Sequence, residues 1–272
     1  MLEKDEIETE QWRQKCLEKY KPFFDLNNKL FQLAEIATNK ITRDIPLHDV
    51  MAFLFGKAHK TFQAVDILMQ RGYGQDAAIL TRSLFEILVI SKWIIAGDSE
   101  RINKFVNYHR VLRKKLFDMY REDIKNSKFS RTPETEAILN NDDIRKKIGD
   151  NYSDVKHLYP NEYLWSGKTI KKMAEEVGLD HDYDYSYGLL SDQVHSNAMV
   201  IQDYISFPKE EMEVEYGPSK SFLPEVFFYS TQFFLKFLCE VNQTFQLGFE
   251  GRISETAKDR ETVLVDNEVL LR

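Results

Sequence analysis

Along most of this chain the apolar residues recur at intervals of three and four, the repeat of an α-helix with one buried face. The pattern predicts a first helix from about Glu8 to Lys40, with Leu26, Leu30, Leu33 and Ile36 on its stripe. "TRDIPLH" breaks it, because Pro46 has no amide hydrogen and restricts the residue before it. A second helix is expected from Leu47 to Arg71, with Gly72 as a left-handed cap and Gly74 freeing the turn. The third covers Asp76 to Ala96 and the fourth Glu100 to about Asn126, capped by Asp98 or Ser99. In the fourth, Ile102, Phe105, Val106, His109, Leu112, Leu116 and Met119 share a face.

A polar stretch then runs from Ser127 to Tyr163. It reads as an exposed insertion holding one short helix near Glu134 to Ile148. "WSGKTIKKMAEEVGL" is a turn and a short helix ending at Gly178, and a further helix is expected from Tyr183 to Ile205. The last long helix, Leu223 to Phe249, is apolar on most sides, so it is either central or turned toward a second subunit. The tail "ETVLVDNEVLLR" alternates apolar and polar residues, which predicts a hairpin or an extended arm.

The fold class that follows is all-α: a bundle of about seven helices with a polar excursion and a short C-terminal arm. The expected division is one helical domain over 1–251, with its insertion at about 127–163, and an arm over 252–272. There is no βαβ pattern, glycine-rich phosphate loop, HExxH or paired CxxC, and no cofactor or metal is expected. The most apolar run, Leu84 to Gly97, is short of the roughly 20 residues a membrane span needs and carries Glu86 and Lys92.

At 43% hydrophobic and 13% aromatic the chain is expected to bury a core. A net charge of −7 argues against a broad cationic surface, so neither duplex DNA nor a membrane surface is an expected partner. Cys16 and Cys239 stand far apart, and no signal-like segment opens the sequence. Together these point to a reducing cytoplasm. The crowding of large apolar residues in "VFFYSTQFFLKFL" leads us to expect a homo-oligomer, most simply a dimer, through that helix or the tail.

Chemistry is suggested where polar residues interrupt apolar helices. In "AAILTRSLFEILVISKWIIA", Arg82 and Glu86 point about 40° apart, with Lys92 about 80–120° away. Charges on so apolar a helix need partners. They form either a plain i,i+4 ion pair or part of a polar cavity in the bundle. Ser191 and His195, also four residues apart, supply a second polar face, and an imidazole near neutral pH can act as a general base. In "WSGK", Trp165 is an anchor, Ser166 a cap candidate and Gly167 the turn. Lys168 stands at a helix start, where the dipole disfavours a cation, as though facing an anion.

The segments "KTFQAVDILMQRGYGQDAAILTRSLFE", "WSGKTIKKMAEEVGL" and "YSYGLLSDQVHSN" resemble, in that order, a widespread bacterial family of unknown function. Its pattern is a glycine turn, R-S-L-x-E, W-x-G-K-[ST]-I and S-x-x-V-H. The resemblance covers about Lys57 to Asn197 and implies that Arg82, Glu86, Trp165, Gly167, Lys168, Ser191 and His195 match its motif positions and form one cluster. More distantly the chain is similar to the HEPN helical bundles, many of which are ribonucleases in toxin and antiphage systems. It departs from their Arg-to-His motif, since Gly188, Leu189 and Leu190 stand where the arginine would be.

Two functions follow. In one the protein is a helical scaffold or binding module whose polar cluster fixes helix register. In the other it is a metal-independent ribonuclease or nucleotide-binding effector, with RNA or a nucleotide as ligand. There Arg82 would hold a phosphate, Glu86 would orient it and His195 would be the base. Lys168, Ser191 and Trp165 would hold the substrate.

Overall fold

The computed structural model describes residues 2–126, 132–195, 197–206 and 212–267. The chain divides into two compact units, Met1–Trp93 with Ala174–Arg272, and Ile94–Met173. Among the described residues there are twelve α-helices and one two-stranded antiparallel pairing. The class is all-α, with more and shorter helices than the apolar pattern suggests. No described helix is long and apolar enough to cross a membrane.

In the first unit, α1 (Leu2–Lys19) and α2 (Lys21–Thr38) replace the single helix expected there. The break at Tyr20 sits ahead of Pro22, which lies in the first turn of α2, where an amide hydrogen has no partner to lose. Helix α3 (Pro46–Gln70) ends on Gly72, whose φ of 79° lets the Tyr73 amide reach the Leu68 carbonyl at 3.0 Å. Helix α4 (Gly74–Ile95) follows directly. Gly74 serves close approach rather than turn freedom: a Cβ there would lie 2.2 Å from the carbonyl oxygen of Ser221.

In the second unit, α5 (Ser99–Lys125) is opened by the Asp98 carboxylate, which accepts from the Glu100 amide at 3.0 Å. Two helices, α6 (Pro133–Leu139) and α7 (Asp142–Ser153), stand where one was expected. Asn141 separates them, accepting the Ile144 amide at 3.0 Å as the cap of α7. Residues 127–131 of the polar stretch lie outside the described residues. Val111 of α5 packs with Val155 and Tyr159 beyond α7, and Tyr108 donates to the Glu162 carbonyl at 2.8 Å.

Helix α8 (Ile170–Glu176) ends at Gly178. A short α9 (Asp180–Asp182) runs into a five-residue π-turn, Tyr183–Tyr187, and then α10 (Gly188–Val194). The helix expected to continue to Ile205 stops at Val194. Asn197 takes over as cap of a 3-10 turn, Ala198–Asp203, by accepting the Met199 amide. Strands β1 (Ile205–Ser206) and β2 (Glu213–Val214) then pair Ile205 with Val214.

Helix α11 (Leu223–Phe245) is the centre of the first unit. Phe227 stacks on Phe23 of α2 at 4.6 Å, Phe234 on Phe62 of α3 at 4.3 Å, and Phe233 meets Phe85 of α4 at 5.0 Å. Its large apolar residues are therefore packed within its own chain and do not by themselves call for a second subunit. The tail is also corrected. Helix α12 (Glu250–Asp266) stands where a hairpin or arm was expected, and residues 268–272 lie outside the described residues. Arg260 ties α12 to α11, donating to Thr231 Oγ1 at 3.0 Å and to the Phe228 carbonyl at 2.8 Å. Burial pulls its pKa down to about 10.

Candidate functional site

Arg82 and Glu86 lie one turn apart on the side of α4 that meets the π-turn. Phe85 between them is fully buried against Phe233, with the Tyr183 and Tyr187 rings at 6.3 and 6.1 Å. The wider π-turn stacks Tyr183 on Tyr187 at 4.5 Å, and π-turns of this kind are frequent at functional positions. This stacking leaves the Tyr187 hydroxyl between the two charges of α4.

Arg82 Nη2 donates to Tyr187 Oη at 2.6 Å, and the hydroxyl in turn donates to Glu86 Oε1 at 3.1 Å. The guanidinium also lies over the Tyr187 ring, 4.5 Å from its centroid. Arg82 Nε is 3.2 Å from Glu86 Oε1, within ion-pair range, but it makes no hydrogen bond. The side chains of Arg82 and Glu86 are 18% and 33% exposed, so the pair is sheltered but still touches solvent. Burial raises the Tyr187 pKa, and the hydrogen bond from Arg82 works against that rise. The i,i+4 ion pair of the first reading is present, and a third residue, Tyr187, joins it into a network.

Ser191 and His195 do not enter that network. The Ser191 hydroxyl donates back to the carbonyl of Tyr187 one turn earlier, a bond that serines inside helices often make. Ser191 therefore touches the backbone of Tyr187 while its side chain is kept from the charges. His195 closes α10 through its own amide, which reaches the Ser191 carbonyl at 3.0 Å. Its ring is exposed and, among the described residues, makes no hydrogen bond.

Trp165 and Lys168 belong to the second unit. Trp165 packs edge-on to Phe105 at 5.0 Å, as an anchor should. Ser166 accepts the Lys168 amide at 3.1 Å and donates to the Lys168 carbonyl at 2.9 Å, with Gly167 at φ 71° completing the turn. The hydroxyl that opens α8 is Thr169's, which accepts the Lys172 amide at 3.3 Å, so Ser166 caps the turn and not the helix.

Sequence reasoning missed Tyr187. The sole signal was its place in the tyrosine-rich run "YDYSY", and thirteen tyrosines in the chain dilute any one of them. Among the described residues no group of three or more His, Cys, Asp or Glu is arranged to hold a metal ion.

No curated protein and no solved structure matches the chain. A family model does match, over residues 48–213, and that span holds Arg82, Glu86, Trp165, Lys168, Tyr187, Ser191 and His195. It runs from the start of α3 to β2 and leaves out α1, α2, α11 and α12. Since the match covers more than half of the 272 residues, the chain belongs to a family of unknown function, DUF5677.

Proposed function

We propose that the protein is a non-catalytic helical scaffold or binding module, in which the Arg82–Tyr187–Glu86 network locks the π-turn onto α4. The observation that carries this reading is the use of Arg82. Its guanidinium is already engaged by a hydroxyl, a carboxylate and an aromatic face of the same chain. Polar networks of this kind specify how helices seat on one another, because the alternative packings leave buried polar atoms unpaired. A ribonuclease would instead need Arg82 free to hold a phosphate beside His195. A general base has to lie within hydrogen-bond reach of the group it serves, and the His195 ring stands exposed with no described bond toward the network.

The test is a pair of variants assayed two ways. Arg82→Met is expected to lower the melting temperature by several degrees, because it strips the charge partner from Glu86 and leaves the Tyr187 hydroxyl short of a donor. The parent protein is expected to leave single-stranded RNA intact. Cleavage by the parent that disappears in both Arg82→Met and His195→Ala would overturn the proposal.

A further inference from the structure

The stripe that the sequence marks on α5 is not the face its unit buries. Val111 and Phe117 point inward, while Val106, Leu112, Leu116 and Met119 on the other side are between 44% and 50% exposed. His109 and Tyr120 are exposed beside them, and Ile102 and Phe105 are half-buried at the N-terminal end of the row. Runs of large apolar side chains left in water on one helix mark contact surfaces.

The spacing says what kind of contact. Ile102, Phe105, His109, Leu112, Leu116 and Met119 follow each other at intervals of three, four, three, four and three. Those six positions have the three-four spacing of a two-helix coiled-coil seam, and Val106 and Tyr120, both exposed, widen the row along one flank. From Ile102 to Met119 the seam runs about 26 Å at 1.5 Å per residue.

We propose that a second copy of this chain docks on this face, α5 against α5 and antiparallel. With the two-fold axis passing between Arg110 and Val111, Ile102 faces Met119 of the second copy, Phe105 faces Leu116, and His109 faces Leu112. On one flank Arg101 then falls beside Glu122 of the second copy, and symmetry makes that opposite-charge contact twice. A parallel pairing would set His109 on His109 and hold Arg101 and Glu122 about 30 Å apart along the helices. The Arg101–Glu122 contact is available in the antiparallel arrangement alone. A seam of one helix on one helix is small for a protein interface, so association is expected on the order of micromolar. The inference rests on the second unit alone and does not depend on the role of Arg82.

Sedimentation equilibrium of the full chain across the micromolar range is expected to show a reversible dimer. Leu112→Glu with Leu116→Glu should make it a monomer and leave its far-UV circular dichroism unchanged, because both side chains are about half exposed in one copy. Its melting temperature should match that of the parent at concentrations where the parent is dissociated. Orientation is read by disulfide trapping in a Cys239→Ser background, since Cys16 is buried. Ile102→Cys mixed with Met119→Cys should cross-link, and neither should link to itself. A monomer at every concentration overturns the proposal, as does a dimer indifferent to the glutamate pair. Self-linking of Ile102→Cys, or a failure of the mixed pair to link, overturns the antiparallel arrangement even where the glutamate pair cannot be folded.

Discussion

Tyr187 receives the hydrogen bond of Arg82 at 2.6 Å, although 105 residues separate them in the chain. The phenol ring also lies beneath the guanidinium, so one residue meets the arginine with both its hydroxyl and its ring face. Tyr187→Phe keeps the ring and removes the bonds. We expect it to cost about 1–2 kcal/mol, read as a lower urea midpoint at constant slope. In an Arg82→Leu background the same change should cost about 1 kcal/mol less, because the partner is already gone. Strictly additive losses would mean that the two side chains do not interact.

His195→Ala is expected to move stability by no more than about 0.5 kcal/mol, since an exposed ring with no hydrogen bond among the described residues has little to lose. Thermal melting of the variant beside the parent checks this. A fall of several degrees would show that the ring packs against something in solution.

Two glycines should answer oppositely to alanine. At Gly74 an added Cβ would meet backbone atoms, Ser221 O at 2.2 Å and Leu223 N at 3.0 Å, and neither can swing aside. Gly74→Ala should therefore cost about 1–3 kcal/mol. Gly149 lies inside α7 with nothing within 4 Å of the added Cβ. Gly149→Ala should gain about 0.5–1 kcal/mol by lowering the entropy of the unfolded chain. Chemical denaturation of the two variants in parallel is the measurement.

Asp66 on α3 is buried, accepting from Asn27 Nδ2 and Gln70 Nε2, each at 2.7 Å, and among the described residues no cation is bonded to it. Burial raises its pKa above the usual 3.8, and the two hydrogen bonds offset part of the rise. A carboxyl whose pKa is higher folded than unfolded binds more protons in the native state. It therefore favours folding at pH below the ordinary value, and that contribution is lost as pH rises through the folded value. Asp66→Asn should remove this component, so the difference in stability between variant and parent should shift toward the variant from pH 4 upward. Urea midpoints measured at a series of pH values would show it. A difference that is flat with pH would mean that Asp66 titrates as a free carboxyl does.

Much of the helical frame could be read from single segments. The stop after α3 follows from Gly72, the opening of α5 from Asp98, and the central place of α11 was one of two options that its all-round apolar surface allowed. Each of these depends on residues within about four positions of one another, the reach of a helical hydrogen bond. The expectations that failed are those in which distant surfaces decide. The tail alternates over a few residues, yet its described part is helical to Asp266, where Arg260 and Leu264 find α11 and the core beside them. The apolar row of α5 reads as a core face, yet its unit closes around Val111 on the opposite side. Arg82 and Glu86 could be seen to need partners from the cost of burying charge in an apolar helix. The sequence alone determined that need. That the partner is Tyr187, with Ser191 turned back onto its own helix, was decided only when the π-turn and α4 packed together, because hydrogen bonds between helices answer to position in space and not to separation along the chain.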